Sequence, residues 1–369
     1  MAESVKKDTL LVRIQESKVG RTVFAIGVAV LLFFVFRWAF LFMRDSDASK
    51  LTIALVALVV GIGGIWALFA SLTNLVEVTP VRTRDKLRPW VFVLPAVVIL
   101  GTYIVFPAIR TIWISFLDRR SEDFVGLRNY IFLFSDEDML IILRNTLMWV
   151  VLVPAFSVSL GLIIAVMADK LSEFWEKVTK SLIFLPLAIS FVGASVIWRF
   201  VYAYRPPGQE QIGLLNAITT ALGNDPVAWI TIRPWNNLFL LFIMIWLQTG
   251  FAMVILSAAV KGVPRDLLDA ARIDGCNEIR VFFNVTIPYV SGTILTVTTT
   301  ILFLVLKIFD IVWVMTSGDF DTGIVASRMY EEAFVFRNYG RGSALAVFLF
   351  LVVIPVMIRN IRNMREQRR

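Results

Sequence analysis

The chain is 369 residues long, 58% hydrophobic and only 17% charged, with a formal net charge of +8. Soluble chains average about 45–50% apolar and about 25% charged residues, so the composition excludes an ordinary soluble domain. Histidine is absent and cysteine occurs once, at Cys276. Those absences exclude Ser–His and Cys–His catalysis, an internal disulfide, and most zinc or cysteine metal centres. The surplus of Lys and Arg reads as orientation charge at a bilayer, not as a nucleic-acid footprint.

The apolar residues gather into runs of roughly 20, the length at which a helix crosses the roughly 30 Å hydrocarbon core. The runs do not alternate as barrel strands do, so the expected fold class is all-α integral membrane. In chain order the eight expected transmembrane helices are Thr22–Phe42, Leu51–Val76, Trp90–Phe116, Ile141–Met167, Ser181–Tyr202, Asn237–Val260, Tyr289–Met315 and Ser343–Ile358. The first run is too long, and lacks the small-residue site, for a cleavable signal peptide. Pro186 in the fifth is a candidate kink, and the eighth is near the minimum length.

An even number of spans places both termini on one side. If that side is the cytoplasm, segments 1–21, 77–89, 168–180, 261–288 and 359–369 carry 21 Lys or Arg, against 10 in the four outer loops. Such a bias is what the positive-inside rule requires, so both termini are expected to be cytoplasmic. Residues 1–89 read as a cytoplasmic tail, a two-helix hairpin and a basic linker containing Pro80. Residues 90–369 read as a six-helix core.

The loop at 261–288 has the pattern of a helix, a sharp turn and a second helix. Pro264 suits the first helical position and Asp266 the first turn. Gly275 suits the left-handed residue past the helix end, Asn277 can cap the next helix, and Pro288 would open the following span. Leu267, Leu268 and Ala271 share a face, and Ala270, Ala271 and Gly275 are small enough for another protein to approach the backbone. The alternative is a structured loop lying on the membrane surface.

These residues resemble the "EAA" loop of binding-protein-dependent ABC permeases. The triplet reads Asp269-Ala270-Ala271, followed by Asp274-Gly275, Phe282 and Ile287-Pro288 at matching spacing. The resemblance implies a six-helix ABC importer permease core preceded by two extra helices. It also implies that the loop is a coupling helix docking into a separate ABC ATPase dimer, with Asp269, Ala270, Ala271, Asp274, Gly275 and Pro288 as the coupling residues. Aspartate here replaces the usual glutamate, and Cys276 replaces a small residue, so it reads as a buried small side chain. The chain is similar to carbohydrate permeases of the maltose type, without their large outer domain, since the loop at 117–140 is short. Lys307-Ile-Phe-Asp-Ile-Val-Trp-Val-Met-Thr-Ser-Gly318, Trp198–Tyr204 and Gln211–Asn216 resemble the α-glucoside branch.

Candidate residues for a sugar path are Gln248, Thr249, Gly250 and Met253 in span six and Lys307, Asp310 and Trp313 in span seven. A charge deep in a span costs roughly 2.5–3.5 kcal/mol on insertion scales, so Lys307 and Asp310 call for a reason. At spacing i, i+3 they would share a helix face and neutralise each other. The alternative is a structural ion pair near the outer interface, with Trp313 in the aromatic belt and Gly250 serving helix packing.

No G-x-x-x-x-G-K-[ST] occurs, so ATP and Mg would sit on the partner ATPase, with no cofactor, metal or catalytic residue in this chain. The implied partners are the ATPase dimer, a second permease subunit in a heterodimer, an extracytoplasmic sugar-binding protein and the lipid bilayer, with no nucleic acid. The implied location is the bacterial inner membrane. A membrane-embedded enzyme is the rival reading. An aspartyl type needs two carboxylates in the bilayer, and only Asp310 qualifies. A channel or secondary transporter would leave the 261–288 loop unexplained.

Overall fold

A computed structural model describes residues 18–77 and 81–366. The first 17 residues of the expected tail, Pro80 of the linker, and the last three residues of the basic C-terminal run lie outside that range. Seven helices are long and apolar enough to cross a membrane, and one bent pair raises the number to eight.

Two compact units divide the chain, Met1–Ile109 and Arg110–Arg369. In the first, α1 (Lys18–Asp45) packs on α2 (Lys50–Glu77), followed by α3 (Val81–Leu100). Ala39 and Ser71 are buried and Phe69 stacks on Phe92 at 6.0 Å, while many large apolar side chains are exposed, as helices in lipid permit. A π-turn at Gly101–Val105 leads into α4 (Phe106–Ile114), so the third span is Thr83–Ile114. Pro107 has no N–H and its ring crowds the carbonyl four residues back; the widened turn just before it accommodates both defects.

The second unit is built on α6 (Glu137–Asp169) and α10 (Asn236–Lys261), which follow α5 (Arg128–Ser135) and enclose the main core. Trp149, Val153, Leu162, Leu240, Met244 and Leu256 fill the space between these helices and α13 (Ile287–Leu306). Gly161 on α6 sets the approach: a Cβ there would come within 2.6 Å of the Ala252 Cβ and 2.8 Å of the Met253 nitrogen. Small residues at such crossings are how membrane helices gain van der Waals contact without a hydrophobic drive.

Two expected spans are corrected. Ser181–Tyr202 is not one helix but α7 (Glu173–Phe184), a tight turn at Leu185–Ala188, and α8 (Phe191–Val201), bent by 102°. Pro186 ends the first half, Ile189 and Ser190 are extended, and the Ser190 hydroxyl restarts the helix by accepting from Gly193 N at 3.0 Å. Tyr289–Met315 is likewise not one span. Its helix already runs from Glu278 and ends at Leu306, and α14 (Asp310–Thr316) begins afresh after Lys307-Ile308-Phe309. Asp310 in the first turn favours that restart through the helix dipole. Lys307 and Asp310 therefore do not share a helix face, and among the described residues they form no ion pair. The last span, within α16 (Tyr339–Glu366), is longer at both ends than expected, Tyr339–Arg359.

The segment between α14 and α16 is ordered, not a plain loop. Ser317 and Gly318 adopt left-handed φ of 57° and 89°, Thr316 and Thr322 share a hydrogen bond at 2.6 Å, and α15 (Val325–Tyr330) follows. Carboxamides on the spans hold its carbonyls. Asn145 donates to Asp321 O and Gly323 O at 2.7 and 3.0 Å, Asn236 to Phe320 O at 2.7 Å and Asn237 to Asp321 O at 3.0 Å. Glu332 is buried and receives Arg328 at 2.9 Å and Arg341 at 4.0 Å, and burial pushes the neighbouring Glu331 carboxyl above its usual range. Replacing Glu332 with Gln is expected to lower stability by about 2 kcal/mol, since both guanidinium groups keep some solvent. A detergent melting curve unchanged from wild type would contradict that structural role.

Candidate coupling loop and midplane pathway

The 261–288 loop forms as its residues dictate, with small corrections. Val263 is buried, Pro264 is the residue before the first helical turn and not its first member, and α11 spans Arg265–Ile273 with Asp266 in its first turn. The helix ends in a Schellman motif: Cys276 N donates to Ala271 O and Gly275 N to Arg272 O, both at 3.0 Å. Gly275 carries φ +83°, which an L side chain rarely adopts. Asn277 then accepts from Arg280 N at 2.9 Å and starts α12 (Glu278–Val281). Pro288 does not open the following span: α12 continues through a π-turn at Phe282–Thr286, and Pro288 sits just past that widened turn, as Pro107 does.

Leu268 and Ala271 turn inward while Leu267 is exposed, so the expected common face is split. Cys276 is half-buried and Phe282 packs against the core. Asp269, Ala270, Asp274 and Gly275 are exposed, and Ile273 and Ile279 present 86% and 68% of their surface. The loop thus offers apolar residues set among charges. Its own charges brace it: Arg272 bonds Asp269 at 2.8 Å and Glu278 at 2.9 Å, which holds the guanidinium above its usual pKa, with Glu278 the larger cause. Lys170 at the end of α6 reaches Glu278 at 3.3 Å, and Lys261 reaches Glu176 of α7 at 2.6 Å.

Toward the middle of the unit, Gln248, Thr249, Gly250 and Met253 are all buried inside the chain. Thr249 donates to its own helix at Ile245 O, and Gly250 lies against the backbone of Ile183 and Phe184. Met253 faces Gly161 through its backbone. Gln248 is different: neither its amide nitrogen nor its oxygen has a partner. Beside Leu247 a cavity of about 320 Å³ opens between the break in the α7–α8 span and Asp310. Lys307 is exposed, and Trp313 stacks on Phe309 at 5.3 Å and meets Tyr330 edge-on at 4.8 Å. Two interrupted helices facing one cavity is the arrangement by which transporters place polar groups at membrane depth.

The model of the binding-protein-dependent transport system inner membrane component family matches residues 142–368. The chain belongs to that family. This permease is 58% identical over 276 residues to the osmoprotective compounds uptake permease protein GgtC of Synechocystis sp., covering 75% of this chain and 98% of the relative. It is 48% identical over 285 residues to the alpha-glucoside transport system permease protein AglF of Rhizobium meliloti, covering 76% and 84%. A crystal structure of a bacterial ABC transporter for alginate import shares its fold, with a TM-score of 0.66 at 19% identity over 77% of this permease and 99% of that chain. The permease is thus a multi-pass membrane subunit of a transporter and not an enzyme.

The sequence did not point to Asn145, Asn236 and Asn237, although carboxamides at the ends of apolar runs are the visible signal. Phe309 and Tyr330, which frame Trp313, were also missed, because they come from the break and from α15.

Proposed function

We propose that this permease is the translocating subunit of an ATP-driven importer that carries a sugar, an α-linked glucoside or oligosaccharide, into the cytoplasm by alternating access. The observation that carries the reading is the braced, exposed helix–Schellman turn–helix at 264–281 bearing the Asp-Ala-Ala and Asp-Gly residues of the family loop. Support for the sugar class comes from the relatives, one an alpha-glucoside permease and one a permease for osmoprotective compounds.

In this reading Asp269, Ala270, Ala271, Asp274, Gly275 and Pro288 couple the chain to a partner ATPase dimer that holds the ATP and Mg. A second permease subunit and an extracytoplasmic binding protein complete the complex, with both termini of this chain in the cytoplasm. Residues 1–89, a cytoplasmic tail, a two-helix hairpin and a basic linker, precede the six-helix core 90–369. Closure of the ATPase pulls on the loop and moves the interrupted helices around a midplane site. Gln248, Thr249, Gly250, Met253, Lys307, Asp310 and Trp313 line that route when it opens.

Gln248 gives the sharpest test of the route. A buried amide without a partner costs about 1–3 kcal/mol, so Gln248→Leu is expected to leave the folded amount equal or higher while lowering sugar uptake. Uptake at wild-type level would remove Gln248 from the pathway. The sugar class is tested in membrane vesicles containing the whole complex, with ATP inside and labelled α- and β-linked disaccharides outside. Accumulation of the β-linked sugars alone, or of neither class, would overturn the substrate assignment.

A further inference from the structure

On the half of the second unit remote from the coupling loop, a groove of about 590 Å³ runs between α8 and α10. Ile197, Trp198 and Val201 form one wall and Phe239, Phe242 and Trp246 the other, the latter at the i, i+3, i+7 spacing of a single helix face. No charged residue lines it. The Tyr202 hydroxyl at its edge is spent on Phe239 O at 3.0 Å, which leaves the buried, unpartnered indole N–H of Trp198 as the free polar group.

The third side of the groove is α9 (Leu214–Ala221), which contributes Leu214 and Leu215. This helix belongs to the segment between spans and is clamped within that segment. Asn216 is fully buried, donates to Ala203 O and Val227 O at 2.9 Å, and accepts from Val227 N at 2.8 Å and from the Trp229 indole at 3.2 Å. The clamp fixes a stripe of apolar residues facing outward: Leu214, Ile218 and Leu222, at i, i+4, i+8, are 58%, 50% and 74% exposed. A rigidly held helix that shows water such a stripe would be costly, whereas the same helix lying in the headgroup–acyl boundary is satisfied. Trp235, exposed at the start of α10, is the anchor type found at that level.

Depth identifies the occupant. With a rise of about 1.5 Å per residue, Phe239 to Trp246 lie roughly 5–15 Å below the start of α10. That is one leaflet of a core roughly 30 Å thick. The groove is continuous with the exposed apolar faces of α8 and α10, so what reaches it is what bathes those faces. From these observations we infer that the groove between α8, α9 and α10 holds one acyl chain of a phospholipid from the leaflet opposite the coupling loop. In this site α9 is an interfacial helix roofing the chain. A sugar, with a hydroxyl on most of its carbons, does not suit a wall whose one unspent polar group is a buried indole N–H. The inference holds whatever solute the transporter carries.

The test uses the full chain in its native complex, reconstituted with a phospholipid carrying a photoactivatable diazirine in mid-chain. Labelling is expected to concentrate on Ile197, Val201, Leu215 and Phe242, and a phospholipid should stay bound through detergent exchange when the chain is weighed by native mass spectrometry. Val201→Trp, which fills the groove, should lose that lipid, while Leu147→Trp on the exposed face of α6 should keep it. If Val201→Trp does not accumulate, Phe242→Ala removes a half-exposed wall and should weaken retention instead. Labels spread evenly over the exposed apolar faces, a groove protected by a second permease chain, or full retention in the filled variant would each overturn the proposal.

Discussion

Gly275→Arg is expected to leave the permease folded in the membrane and to abolish transport. A Cβ at Gly275 stands in open space, with no atom beyond its chain neighbours within 4 Å. The cost within the subunit is confined to the left-handed φ of +83°, about 1–2 kcal/mol for an L residue. That is small against the 5–15 kcal/mol typical of a folded protein. The effect falls outside the subunit. Gly275 stands among Ala270, Ile273 and Asp274 on the exposed side of the loop, so an arginine there occupies the space through which an ATPase would approach. Expression and melting temperature should stay near wild type while uptake falls to background. Gly275→Asn separates the two causes, because asparagine tolerates the left-handed region and projects little. It should keep much of the activity. Background uptake from Gly275→Asn together with normal uptake from Gly275→Arg would reverse the account.

Gly161→Leu is expected to do the opposite and remove the protein itself. The α6–α10 crossing leaves no space for even one carbon at this position, and two of the nearest atoms are backbone, the Met253 nitrogen at 2.8 Å and the Ala252 carbonyl carbon at 3.0 Å. Backbone cannot rotate away as a flexible side chain can, so the helices must separate. Overpacking a core costs about 1–3 kcal/mol and occasionally more, and here separation also loosens Trp149, Leu247 and Leu256 along the same seam. The detergent-stable fraction should drop sharply for Gly161→Leu and partly for Gly161→Ala, in that order. Equal recovery of all three forms by size-exclusion chromatography would mean that the helices do not cross at this glycine.

Much of the loop was legible because its signals are local. Asp266, Gly275 and Asn277 each act on backbone groups within a few residues, so their chemistry fixed α11, its left-handed stop and the next cap without tertiary information. The spans were legible to within several residues for a similar reason, since apolar length answers to bilayer thickness. The interruptions were not. A run of apolar residues looks the same whether it is one helix or two halves bent by 102°, and Pro186 alone permits either a kink or a break. The pairing assigned to Lys307 and Asp310 assumed a continuous helix between them, and the chain leaves the helix at those residues. The segment between α14 and α16 was unreadable because its supports, Asn145, Asn236 and Asn237, are far from Phe320–Gly323 in sequence. Pro288 looked like a start signal because sequence does not reveal that a π-turn can carry a helix past it.

In the proposed function the 264–281 loop couples this permease to a separate ATPase. The most direct measurement is affinity purification of the tagged full-length chain from its native membrane in mild detergent, with and without Gly275→Arg, followed by mass spectrometry. A P-loop ATPase and a second permease are expected to accompany the wild type, and the ATPase alone to be lost from the variant. A folded wild-type chain that brings down no ATPase, or a variant that retains it fully, would contradict the account.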